Sequence, residues 1–238
     1  FAMEAAMPLW PRPKRPTVHA EQALVTAILD GTYPPGALLP GERELARQLG
    51  VTRPTLREAL QRLERDGWLT INQGRSTRVR DFWRDGGLNV LSSLVRYGGP
   101  LPPGFVTQLL EVRLAMAPAY TRAAVERQGQ AVADFLAGHA SLDDSAEAYA
   151  RFDWLLHHTL TVCSGNPIYT LILNGFAGFY EQLACLYFGR GEARASSRAF
   201  YAALLEAARE GDALRAEQIA RQVMQESIDL WREASPGG

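Results

Sequence analysis

At 238 residues the chain is long enough for one large or two modest domains, and its charge is nearly balanced at −1. The balance is not local: residues 1–80 carry 12 Lys+Arg against 8 Asp+Glu, and residues 81–238 carry 13 against 18, so a basic front and an acidic back point to two domains with different partners. Two cysteines, Cys163 and Cys185, without CxxC spacing speak against a disulfide scaffold or a cysteine zinc site and fit a reducing cytoplasm, and no apolar run approaches the roughly 18 residues of a membrane span. The opening FAMEAAMPLW is too short and too broken to read as a signal peptide.

In chain order, Ala20, Leu24, Ile28 and Leu29 recur at helical spacing, with Thr17 as the expected cap, and Gly31 and Pro34-Pro35-Gly36 end this first helix. ERELARQLG (42–50) reads as a short second helix closed by Gly50. In VTRPTLREAL (51–60), Thr52 caps a third helix and Pro54 sits in its first turn, where a missing N–H costs nothing. Leu56, Leu60 and Leu63 form its buried stripe, and Gly67 ends it. WLTI and STRVR follow as two short alternating strands around Asn72-Gln73-Gly74-Arg75, a hairpin with glycine near its tip.

Short helix, tight turn, capped helix and hairpin make a winged helix-turn-helix over residues 1–80. Arg53 and Arg57 are i and i+4, so they share one face at the front of the third helix, where free N–H groups and the positive dipole end favour a phosphate or base edge. An arginine fork matches the two acceptors of guanine. Thr52 and Thr55, with Pro54 between them and Arg53, are placed to meet phosphates or a thymine methyl, and Arg43 to reach the same groove. Gln73, Gly74 and Arg75 make the wing tip, where glycine permits close backbone approach. Arg62 and Arg65, further along, read as surface or backbone-positioning residues.

Residues 81–101 read as a linker with a short amphipathic helix, LNVLSSLVRY, broken off by Gly98-Gly99-Pro100. Residues 102–238 are helical in pattern, with helices expected near 105–127, 129–139, 143–163, 167–188, 194–210 and 213–234, the third capped by Asp143-Asp144. LILNGFAGFYEQLACLYF is apolar on more than one side, as in a helix central to its bundle or lining an apolar cavity. The fold class is therefore mainly α: a winged helix-turn-helix followed by an all-α bundle. There is no G-x-S-x-G, P-loop or HExxH, so nothing here reads as an enzyme, and the expectation is no catalytic residue and no cofactor.

The stretch LLPGERELARQLGVTRPTLREALQRLERDGWLTINQGRSTRV resembles the N-terminal domain of the GntR family of bacterial transcription regulators, and DFWRDGGLNVL (81–91), SGNPIYTLILNGFAGFY (164–180) and YFGRGEARA (187–195) resemble its FadR subfamily. The resemblance implies a cytoplasmic homodimer on double-stranded, pseudo-palindromic operator DNA. It implies a repressor of fatty acid degradation genes and an activator of biosynthesis genes, released from DNA by a long-chain fatty acyl-CoA bound in the helical domain. A GntR regulator answering to a small carboxylic acid is the alternative.

Carried over by position, the effector residues are Arg113, Tyr187, Ser227 and Trp231, with Arg113 expected to pair with a phosphate. Met224 is expected to intrude where the subfamily has glycine. Other GntR relatives bind a metal through a D-x-x-x-H pair and two later histidines. Asp153 and His157 match the pair, but Tyr201 and Val223 stand at the later positions and no histidine follows His158, so no metal is expected.

Overall fold

A computed structural model describes residues 15–72, 76–97 and 101–234, and the chain divides into two compact units, one through Gly99 and one from Pro100. The first unit begins with α1 (Pro16–Leu29), which buries Ala20, Leu24, Val25 and Ile28. Thr17 does not cap it; Arg15 stands at the cap position, Pro16 opens the helix, and the Thr17 hydroxyl instead donates to Glu58 of the third helix at 3.1 Å. α2 (Glu42–Leu49) ends at Gly50, whose φ of 65° is the left-handed turn that lets the chain double back within two residues. α3 (Arg53–Arg65) is capped by the Thr52 side chain, which accepts from Thr55 N–H, and it buries Leu56, Ala59, Leu60 and Leu63 against α1 and α2. Arg62 clasps the packing from outside, donating to Glu21 of α1 and Glu58 of α3.

β1 (Leu69–Thr70) and β2 (Arg78–Val79) form an antiparallel pair with Leu69 opposite Val79 and Thr70 opposite Arg78. The strand after α1 adds a third edge, with Leu38 bridged to Arg78 and Val79 N–H donating to the Ala37 carbonyl. The hairpin is tied to α3 where Ile71 N–H donates to the Glu64 carboxylate at 2.7 Å. The segment expected as a linker carries α4 (Phe82–Asp85) and α5 (Leu88–Tyr97), and both pack on the first unit. Phe82 lies on the fully buried Trp68, ring centroids 4.6 Å apart, and α5 packs on α1.

In the second unit, α6 (Phe105–Leu136) is two helical stretches joined across a kink at Gln128, φ −143° and ψ 45°, between the helices expected over 105–127 and 129–139. Gly129 follows, and a Cβ there would lie 2.9 Å from the Ala208 carbonyl oxygen, so the close approach of two helices requires glycine. α6 also contains the buried Pro118, which has no N–H to offer the Leu114 carbonyl. A short 3-10 turn (Ala137–Ser141) leads to α7 (Ala146–Cys163). Its cap is Ser145, whose side chain accepts from Ala148 N–H, and not Asp143-Asp144.

The segment expected as one helix over 167–188 is two, α8 (Pro167–Asn174) and α9 (Tyr180–Phe188), parted by a turn that contains Gly175 and Gly178. α10 (Gly191–Glu210) and α11 (Ala213–Ala234) complete the bundle, with α11 running along α6 and α7 packed between α6 and α9. The core is built from Tyr149, Leu156, Leu160, Phe188, Tyr201 and Leu204 with alanines that let the helices approach closely. Among the described residues, no helix is long and apolar enough to cross a membrane.

Candidate functional site

The front of α3 is held out to solvent. Arg53 and Arg57 are 57% and 56% exposed and lie one turn apart, at the capped N-terminal end of the helix. They are not free cations. Glu42, the first residue of α2, accepts from Arg57 Nε at 2.7 Å and lies 3.9 Å from Arg53 Nη2. The sequence gives no sign of this partner, which sits 15 positions away on another helix. Thr52 and Thr55 join their hydroxyls at 2.8 Å, so the cap and the first turn are one hydrogen-bonded unit beside the exposed Pro54. Arg43 is exposed on α2 and makes no hydrogen bond or ion pair among the described residues. Gln73, Gly74 and Arg75 lie outside the described residues.

The second unit encloses a cavity of about 120 Å³ between the N-terminal half of α6, α8, α9 and the end of α11. Its wall is mostly apolar. Val106, Leu109, Leu110 and Met116 of α6 face Phe176, Phe179, Leu183 and Phe188. Three of the four residues nominated for the effector line it: Arg113, Tyr187 and Trp231. Ser227 stands one bond behind, accepting from the Tyr187 hydroxyl at 3.2 Å and donating to the Val223 carbonyl at 2.8 Å. Met224 is buried in the bundle core and does not line the cavity, so the expected intrusion is not what its position shows.

One wall of the cavity is polar. Arg113 Nη2 donates to Asp153 Oδ2 at 2.6 Å and to His157 Nε2, while Tyr180 donates to Asp153 Oδ2 and Tyr201 to Oδ1 at 3.1 Å. Arginine only donates, so His157 Nε2 accepts, and the proton of a neutral imidazole sits on Nδ1, facing the Tyr120 hydroxyl at 2.6 Å. Burial, seconded by the Arg113 charge, pushes the His157 pKa down to about 3, which keeps that imidazole neutral. Burial alone would raise the Asp153 carboxyl, but Arg113 and the hydrogen bonds around it win and hold it below the usual carboxylate value. The same exchange raises the Arg113 pKa: burial works against its charge, and Asp153 more than offsets it.

This network bears on the expectation for Arg113 and on the Asp153–His157 pair. Arg113, expected to pair with a phosphate, is paired here with Asp153. The Asp153–His157 pair is filled by the same guanidinium, and a metal ion placed between the two would meet a cation already there. Among the described residues no three His, Cys, Asp or Glu side chains gather as a ligand set. Tyr120 and Tyr180 were missed in the sequence, although Val106, Leu109, Leu110, Arg113 and Tyr120 fall on one face of a helix and mark its cavity side.

Residues 16–79 match the family described as bacterial regulatory proteins, gntR family, and residues 80–236 match the FadR C-terminal domain. The chain belongs to the GntR family, in its FadR subfamily. Several relatives are named fatty acid metabolism regulator protein: one from Shewanella baltica is 44% identical over 218 residues, 92% of each chain. Another, from Shewanella amazonensis, is 47% identical over 188 residues, 79% of this chain and 78% of its own. A solved structure of Lar, which controls expression of the Listeria monocytogenes agr system, shares the fold with a TM-score of 0.61 at 17% identity, covering 94% of this chain and all of its own. Members of this family are DNA-binding transcription regulators and not enzymes, which places the capped front of α3 in a DNA-binding domain.

Proposed function

We propose that this chain regulates transcription of fatty acid metabolism genes from pseudo-palindromic operators, as a homodimer, and that a long-chain fatty acyl-CoA bound in the helical unit lowers its affinity for DNA. Support on the DNA side comes from Arg53 and Arg57 at a capped helix start, with Arg43, Thr52, Pro54 and Thr55 around them. Support on the effector side comes from the subfamily of the relatives and from the cavity, whose apolar wall suits a hydrocarbon chain.

The single observation that carries the choice of effector is the pairing of Arg113 with Asp153. A small carboxylic acid entering an otherwise apolar cavity needs an uncompensated cation, and among the described residues the only arginine on the wall is already neutralised. An acyl chain needs none, and each methylene it buries contributes about 0.8 kcal/mol. The Arg113 Nε–H, buried without a partner, remains for a carbonyl oxygen such as that of a thioester. Coupling follows if the ligand favours one arrangement of the helical unit over another, since a ligand shifts an equilibrium only by its differential affinity.

The test is an anisotropy titration of the operator complex with acyl-CoAs of increasing chain length, with free CoA and small dicarboxylates as controls. Release is expected to strengthen with chain length until the cavity is full. Trp231→Ala is expected to bind operator like the parent and to release it poorly. If no acyl-CoA displaces operator at micromolar concentration, the effector assignment fails and DNA recognition stands.

A further inference from the structure

Glu42 holds an unusual place on the DNA-binding unit. Among the described residues it is the one carboxylate set between Arg53 and Arg57, reaching them from the start of α2, where a helix N-terminus favours negative charge. It is itself 36% exposed, and so open a pair adds little to folding. On a surface that meets phosphates it also subtracts from the attraction between protein and DNA. Neither stability nor raw affinity accounts for it.

Geometry supplies a third role. Arginine can offer guanine either the edge made of Nε and one Nη or the end made of both Nη groups. With Nε held by Glu42 at 2.7 Å, Arg57 keeps only the second. The same bond limits the directions the side chain samples, and the carboxylate keeps two like charges one turn apart from repelling each other. We infer that Glu42 is a positioning residue for base recognition: it fixes the donor end that Arg57 presents and lowers affinity for DNA of the wrong sequence. This rests on the reading that Arg53 and Arg57 meet base edges.

For the test, the parent protein first selects a preferred duplex from a randomised library. Parent, Glu42→Gln and Arg57→Ala are then titrated by anisotropy against that duplex, each of its single-base-pair variants and a scrambled duplex, at one salt concentration. Glu42→Gln is expected to bind the scrambled duplex more tightly than the parent does. Its preference for the selected over the scrambled duplex is expected to fall about tenfold, the low end of what a bidentate base contact contributes. The base pairs at which Glu42→Gln relaxes are expected to be those at which Arg57→Ala relaxes. A Glu42→Gln protein with the parent's base profile overturns the inference, and so does a loss spread evenly over all base pairs, which a merely structural role would give. If Arg57→Ala also keeps the parent's profile, the base-contact reading falls with it; if Arg57→Ala alone relaxes, only the role of Glu42 is lost. Far-UV circular dichroism melting of each variant, expected to match the parent, confirms that folded proteins are compared.

Discussion

Each unit sets an arginine against an acidic side chain of another helix, Arg57 against Glu42 in one and Arg113 against Asp153 in the other. The two bonds are nearly the same length, 2.7 and 2.6 Å, yet they do opposite work. Around the first there is water, so it holds weakly and a charged DNA partner can compete for it. Around the second there is protein: Asp153 is 2% exposed and takes donors from three other side chains. Length alone says little about what an ion pair contributes; the solvent each partner has given up says most of it.

Breaking the buried pair gives the sharpest contrast. Asp153→Asn is expected to lower the unfolding free energy by about 3–5 kcal/mol, because Arg113 stays charged without its partner. Replacing both with apolar residues, as in Arg113→Met with Asp153→Leu, is expected to recover much of that loss. Urea denaturation of the single and double variants decides it, and equal losses in both would mean that the charge was never the issue.

Operator affinity comes next. Arg53→Ala and Arg57→Ala are each expected to weaken operator binding by about 1–3 kcal/mol, if their contacts are bidentate, while leaving urea midpoints near the parent's. Variants that bind operator like the parent at matched salt would empty the exposed half of the comparison.

Acid provides a smaller and directional test. His157 has a folded pKa of about 3, below the unfolded value near 6.5, so the unfolded chain binds more protons between those limits. Stability from this group is fully present above about pH 6.5 and is lost as pH falls toward 3, at no more than about 1.4 kcal/mol per pH unit. Asp153, also held low, adds its own loss only as pH drops below the ordinary aspartate value of 3.8. Urea midpoints at pH 7, 6 and 5 are expected to fall for the parent, with a flatter profile for His157→Gln. A parallel profile would place the acid sensitivity elsewhere.

The smallest effect belongs to the exposed surface. Thr52→Ala removes a cap and is expected to cost about 1 kcal/mol of thermal stability. This is a backbone effect, and it is expected to exceed what Glu42→Gln does to the same midpoint.

The first unit was legible because local chemistry dictates it. Thr52 caps α3, Gly50 turns left-handed, and the apolar period of Leu56, Leu60 and Leu63 faces the core, each a signal spanning a few residues. Where two local signals compete, the sequence does not choose: Asp143, Asp144 and Ser145 are all capable caps, and only Ser145 has its side chain on a helix N–H. In 167–188 the apolar run is continuous, and the turn between α8 and α9 shows only as two glycines within it. The effector set was nominated by resemblance, and three of its side chains do share a cavity wall. The pairing of Arg113 is not legible in the sequence because its partner lies 40 positions away, a relation that no helical period carries. Thr17 failed for the same reason, since its hydroxyl is taken by a residue 41 positions on.

Pro118 gives α6 a mechanical character that the other helices lack. A helix resists bending as a column of rungs in parallel with its axis, and at Pro118 one rung is missing, five residues past Arg113. Of the α6 side chains that line the cavity, all but Tyr120 lie on the N-terminal side of that gap. Short of the kink at Gln128, the column is therefore most compliant where the cavity wall ends. A change in what fills the cavity is expected to meet its least resistance as a tilt of residues 105–117 about that point, carrying Arg113 with it and straining the Glu111–Arg232 ion pair that ties this stretch to α11.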